Sequence, residues 1–361
     1  MRKVWRTVFV SLLLALLLLV SALSSLALAE SEEDSEVSVP DIPPVTPTPL
    51  PLYARVIVTD TLVYTQPLTS EAGLTPLRSL GMGYVWVSIT DTQVITVGEQ
   101  AWVQINTAEY IPGDHLSIFS PSTFQGITIT TQPAQPFGWL VYYRQPVIAP
   151  GAVTTTTTWL PRYSLVTISA TQQITEGHWY RVGPEQWLYQ TDVAVVKKMA
   201  RPAGVGPHEK WIDINLFEQT VVAYEGDRMV YATLMSSGLP RWPTEKGLTR
   251  LWAKVQAGKM SGGERGDDYY FLEDVPWIMY FKDAYALHGA YWHDKFGFPH
   301  SHGCVNLSLP DARWFFEWVT PATGPNNWTL PDDEDPGTWV WVHGREIENE
   351  LRQPVGLMRA Q

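Results

Sequence analysis

The sequence predicts a mainly β, multidomain protein, and three observations carry that expectation. Residues from Tyr53 to about Val196 read as short alternating runs of Val, Ile, Thr, Tyr and Trp broken by Gly, Pro, Asn and Asp, the period-two pattern of half-buried strands. One stretch of that pattern, beginning at Tyr84, returns at Tyr163, 79 residues on. A single helix stands out, close behind the only cysteine. At 361 residues the chain exceeds one ordinary domain, and its 45% hydrophobic content with 17 Trp excludes a disordered or collagen-like chain. The formal charge is −12, from 25 basic and 37 acidic residues, which argues against a nucleic-acid partner because phosphate neutralisation needs a basic surface.

Residues 1–29 read as a signal peptide. Arg2, Lys3 and Arg6 form a positive start, Val8 to Leu26 an apolar core, and Ala27-Leu28-Ala29 an A-x-A site. The apolar run is nearly long enough to span a bilayer, so an uncleaved anchor is the alternative, and the only membrane contact expected. Cleavage would leave 22 basic against 37 acidic residues, near −15. Either way the rest is expected outside the cytoplasm, in the cell-wall space. Residues 30–52 are acidic and then proline-rich, an extended spacer or an inert tail.

Two small β modules are expected over 53–135 and 136–200. Tyr84-Val85-Trp86-Val87-Ser88-Ile89 is followed by Thr92, Ile95, Gly98 and Trp102, and Tyr163-Ser164-Leu165-Val166-Thr167-Ile168 by Thr171, Ile174, Gly177 and Trp179. A strand ending near proline precedes each copy, at Pro67 and Pro150. This pattern resembles bacterial SH3-like barrels, whose kind in exported proteins often binds cell-wall peptide or glycan; a rigid spacer is the plain alternative. Residues 201–207 are a Pro/Gly linker.

A further β domain is expected over 208–344, with strands at Lys210–Asn215, at Thr220 to Tyr224 and from Met229, closing with Thr338 to His343; residues 345–361 are a polar tail. Inside it, Ser308 followed by Leu309-Pro310-Asp311 predicts a capped helix start. Ala312, Phe315, Phe316 and Val319 supply its buried stripe, and Pro321 its stop.

Cys304 lies just upstream, in His300-Ser301-His302-Gly303-Cys304-Val305-Asn306. A lone thiol in an oxidising compartment is either a small buried residue or a reactive group, and a reactive thiol needs a base. His288 ends the strand Ala284 to Leu287, sixteen residues before Cys304, far enough for a loop to return the sulfur to the imidazole. N–H groups around Gly303 and Cys304 are candidates for an oxyanion hole. The pattern is that of a Cys–His acyl-transfer site.

His288-Gly289, this interval, and Ser301-His302-Gly303-Cys304-Val305-Asn306 resemble the signature of the L,D-transpeptidase (YkuD) catalytic domain. The resemblance covers about 208–343, including Pro276-Trp277-Ile278-Met279-Tyr280-Phe281. It implies a β-sandwich with a short helix after the catalytic cysteine, and a cleft under a flap, for which the glycine-rich stretch from Leu251 to Asp274 is the candidate. It further implies Cys304 as nucleophile, His288 as proton carrier oriented by the Gly289 carbonyl, Ser301 and His302 shaping the cysteine loop, and Gly303 and Cys304 giving oxyanion N–H groups. The implied partner is the peptidoglycan stem peptide: a tetrapeptide loses D-alanine to a thioester, which passes to an amine for a 3→3 cross-link or to water. No cofactor is implied. A zinc site built from His288, His293, His300, His302 and Cys304 is the competing reading, but it lacks H-E-x-x-H and paired cysteines.

Overall fold

The computed structural model describes residues 52–68, 75–175, 177–264, 268–324 and 326–344. The leader, most of the spacer and the tail expected at 345–361 lie outside them. Among the described residues no helix is long and apolar enough to cross a membrane.

The first repeat contains β1 (Leu52–Val56), β2 (Leu62–Val63), β3 (Arg78–Ser79), β4 (Tyr84–Ile89), β5 (Asp91–Val97), β6 (Gln100–Asn106), β7 (Glu109–Pro112) and β8 (Leu116–Phe119). After the short β9 (Ile127–Thr128), the second repeat contains β10 (Phe137–Leu140), β11 (Leu165–Thr167), β12 (Ala170–Ile174), β13 (Gly177–Gly183), β14 (Gln186–Tyr189) and β15 (Val193–Val196). The two segments pair in the same order. β1 lies antiparallel between β4 and β8, as β10 lies between β11 and β15. The triplets β5-β6-β7 and β12-β13-β14 also match. In each, a residue of the proline-flanked segment bridges to the third strand of the triplet, Tyr64 to Tyr110 and Val147 to Trp187.

The remaining strands are β16 (Lys210–Asn215), β17 (Thr220–Glu225), β18 (Arg228–Leu234), β19 (Gly247–Arg250), β20 (Ala253–Gly262) and β21 (Tyr270–Lys282). They continue with β22 (Tyr285–Gly289), β23 (Val305–Leu307), α1 (Leu309–Trp318), β24 (Trp328–Thr329) and β25 (Trp339–His343). One sheet runs β19-β25-β16-β17-β18-β9; the other runs β23-β22-β21-β4-β1-β8, with β20 paired to β21 and β24 to β20. Between them, Ile212, Val221, Met279, Leu287, Val305 and Phe315 belong to one buried apolar cluster. This is the expected mainly β sandwich with one short helix behind the cysteine.

The strands cross the expected boundaries. β4 pairs parallel with β21, Tyr84 opposite Tyr270 and Trp86 opposite Leu272, so the first repeat shares a sheet with β21. β9 adds to β18 from within residues 53–135. The second repeat buries Phe137, Trp139 and Val196 against Trp211, Val222 and Tyr224 of the opposite sheet. Alternation explains the arrangement: strands apolar on both faces need cover on both, and each repeat supplies a cover. The glycine-rich flap candidate is a β20-β21 hairpin. The arm beginning at Tyr270 is fixed by β4, so this part of it is not free to lift.

The helix follows its sequence signals. The Ser308 hydroxyl accepts the Asp311 N–H at 3.3 Å as N-cap. Ala312, Phe315, Phe316 and Val319 are all buried. The Asp311 carboxylate accepts from the Ser308, Thr233 and Tyr231 hydroxyls and from the Gly126 N–H. These bonds tie the helix start to β18 and to the segment joining the two repeats.

Candidate active site

Strand pairing puts Cys304 and His288 on one face of the same sheet. β22 and β23 run parallel, with Leu287 opposite Val305, His288 opposite Asn306 and Gly289 opposite Leu307. Cys304 therefore stands just before β23, beside Ala286. Because side chains alternate across a strand, Leu287, Val305 and Leu307 enter the core between the sheets. Ala286 and Cys304 belong to the opposite face, and His288, two residues from Ala286, shares it.

His288 is buried, and its Nδ1 lies 3.2 Å from the Gly289 carbonyl. A carbonyl accepts only, so the proton sits on Nδ1 and Nε2 is left as the acceptor. The glycine is also needed for close approach, since a Cβ there would stand 2.9 Å from Leu309 Cδ2 and 3.0 Å from Pro276 Cγ. Burial lowers the His288 pKa to about 4, against a smaller opposing effect from the Gly289 bond.

Cys304 is partly exposed. Its thiol donates to the Ala284 carbonyl at 3.8 Å. Desolvation raises its pKa to about 11, and the Ala286 N–H, bonded to the sulfur, acts in the opposite direction. Both shifts favour the neutral thiol and the neutral imidazole. A standing thiolate here would face a desolvation cost.

The cysteine loop is rigidly built. The Ser301 hydroxyl donates to the Cys304 carbonyl at 2.5 Å and accepts the Gly303 N–H at 3.0 Å. The Gly303 N–H is thereby engaged and is not free for an oxyanion hole. The Cys304 N–H is the remaining candidate of the two. Gly303 has φ +118°, and a Cβ on it would stand 2.3 Å from Tyr285 Cε1, so only glycine fits.

His302 is a packing residue. Its ring lies between Trp242, 3.8 Å away, and Tyr270, 4.7 Å away, and its Nε2 is buried without a hydrogen-bond partner. Desolvation lowers its pKa.

Several contacts at the site leave no signal in the sequence. Thr244 donates to the Gly303 carbonyl at 2.7 Å and accepts the Gly238 N–H at 2.9 Å, bracing the cysteine loop from the segment after β18. Asn306, in register with His288, contacts the His293 ring nitrogen at 2.9 Å, while His293 Nδ1 accepts the Lys295 N–H. Trp292 lies 5.7 Å from the His288 ring. Among the described residues no three His, Cys, Asp or Glu side chains converge as a metal site would require.

Comparison with known proteins fits this geometry. The family profile described as the L,D-transpeptidase catalytic domain, YkuD, matches residues 209–342. Residues 209–342 are a YkuD catalytic domain. The Bacillus subtilis (strain 168) protein YciB, whose name places it among L,D-transpeptidases, is 30% identical over 128 residues, 31% of this chain and 62% of that protein. The chain thus spans less than two thirds of that relative. The crystal structure of an L,D-transpeptidase from Stackebrandtia nassauensis aligns at 20% identity and TM-score 0.28 over 41% of this chain and 60% of that one. An L,D-transpeptidase from Mycobacterium smegmatis aligns at 17% identity and TM-score 0.32 over 63% of this chain and 89% of that one. The YkuD domain holds Cys304, His288, Ser301 and Thr244, whereas β4 lies outside it.

Proposed function

We propose that the protein is a peptidoglycan L,D-transpeptidase acting outside the cytoplasm. The observation that supports this reading is that the sole cysteine, within the stretch matched by the YkuD profile, shares a sheet face with a buried histidine whose Nε2 is left as acceptor. The thiol turns from Ala284 towards His288 and gives its proton to Nε2 as the sulfur attacks the carbonyl before the terminal D-residue of a stem tetrapeptide. The Cys304 N–H meets the developing oxyanion. The C–N bond breaks, D-alanine leaves with the proton returned by His288, and a thioester remains on Cys304. An amine of a neighbouring stem then attacks, losing its proton to His288. The S–C bond breaks, the thiol is restored and a 3→3 cross-link is formed.

Neutral partners suit this sequence. Charge develops only as the substrate fills the site and replaces water, where a preformed ion pair would have to be desolvated in advance. Water as acceptor gives the L,D-carboxypeptidase reaction instead. Products from disaccharide-tetrapeptides, read by mass spectrometry, separate the outcomes: a cross-linked dimer supports transfer, tripeptide alone supports hydrolysis, and unchanged substrate contradicts both. Wall contact through the second repeat is supported by Tyr143 and Trp159, exposed and stacked at 4.9 Å and 8°, planar surfaces of a kind that receives sugar rings.

A further inference from the structure

The residues that hold His288 in place are not all inside the YkuD domain. Beyond Gly289 the chain runs through Ala290, Tyr291, Trp292 and His293, all buried. The Tyr291 ring stacks on Tyr53 of β1, centroids 3.6 Å apart and planes 7° from parallel. Its hydroxyl donates to the Glu273 carbonyl at 2.6 Å. The Trp292 carbonyl accepts the hydroxyl of Tyr84, in β4, at 3.2 Å. Trp86 meets Tyr291 edge-on at 6.0 Å. The same strand β4 fixes Tyr270, which packs on His302 two residues before Cys304.

Taken together, these contacts grip both sides of the reacting pair from outside residues 209–342. We propose that the first β repeat is part of the active-site framework, with Tyr84 and Tyr53 as positioning residues that fix the Tyr291-Trp292 segment and, through it, the His288 imidazole. The inference rests on the reading of Cys304 and His288 as the reacting pair. Its physical basis is that the orientation of His288 depends on the Gly289 carbonyl and on the Trp292 indole, and both belong to a segment whose outer side meets only the repeat and β21 among these contacts. Displacing a proton carrier by about 1 Å costs on the order of a hundredfold in rate, so anchors of this kind act on turnover more than on folding. A tethered wall-binding module would need no such buried aromatic seam.

The test uses the full chain with Tyr84→Phe, Tyr53→Leu and, as control, Tyr110→Phe, whose hydroxyl serves Gln104 in the other sheet of the repeat. Because Cys304 is the only cysteine, iodoacetamide alkylation reports that one site. For Tyr84→Phe, kcat with a disaccharide-tetrapeptide should fall about tenfold with KM within about twofold. Alkylation at neutral pH should slow in parallel, its pH profile moving upward, while the thermal midpoint stays within a few degrees. The control should match wild type in every readout. Unchanged kcat and alkylation profile in Tyr84→Phe overturn the inference, as does a loss of stability with the profile unmoved. Should Tyr53→Leu fail to fold, Tyr84→Phe, which removes one hydroxyl, decides alone. If wild type turns over no muropeptide but the alkylation profile still moves in Tyr84→Phe, the substrate assignment fails and the positioning role stands.

Discussion

The Ser301 hydroxyl donates to the Cys304 carbonyl at 2.5 Å. It also accepts the Gly303 N–H, so one side chain holds the peptide plane that follows Cys304 and the one that precedes Gly303. Ser301→Ala leaves a buried acceptor and a buried donor unpaired, a cost of about 1–3 kcal/mol. Acylation should slow about tenfold or more as the loop relaxes. Ser301→Thr keeps the hydroxyl and should recover most of the rate. Stopped-flow acylation rates for both variants check this, and equal rates in Ala and Thr would contradict it.

Gly303→Ala should be far more damaging than its size suggests. The new Cβ meets Tyr285 Cε1 at 2.3 Å, and φ +118° is a region that costs a side-chain-bearing residue about 1–3 kcal/mol. Adding Tyr285→Ala removes the clash but not the backbone strain, so the double variant should regain stability only in part. Denaturant midpoints of the single and double variants measure the two contributions separately.

Asp311→Ala should be among the most destabilising single changes in the domain. Its carboxylate accepts three hydroxyls and one backbone N–H in a buried setting. Removing it strands those donors at a cost of about 3–5 kcal/mol. A midpoint within about 0.5 kcal/mol of wild type would show that the helix start does not depend on it.

Stability should fall in acid between the ordinary histidine range and pH 4. Burial lowers the His288 and His300 pKa values to about 4 each, so across the interval from about 6.5 to about 4 the unfolded chain binds protons that the folded one refuses. Each contribution is absent above that interval and grows to about 3 kcal/mol below it. Glu273, raised by burial to about 7, acts in the opposite direction over a similar range. His300→Gln should therefore lose less stability than wild type as pH drops from 7 to 4. Parallel thermal-midpoint curves would contradict the assignment.

Local signals made much of this molecule legible in sequence. Ser308 and Asp311 announced the helix start and Ala312 to Val319 its buried stripe, because each depends on neighbours in the chain. The parallel pairing of Tyr84 with Tyr270 joins segments far apart in sequence, and register between distant strands leaves no periodicity to read. The seam of Tyr53 on Tyr291 is hidden for the same reason. Ser301's capture of the Gly303 N–H, and Thr244's bond to the Gly303 carbonyl, are matters of loop geometry that residue types alone do not specify.

The intact mass of the full chain after brief mixing with a disaccharide-tetrapeptide tests the central claim most directly. The account predicts an adduct equal to the donor minus D-alanine, carried on Cys304, absent in Cys304→Ala and formed far more slowly in His288→Ala. An unmodified wild-type chain at complete donor consumption, or an adduct that persists in Cys304→Ala, would contradict it.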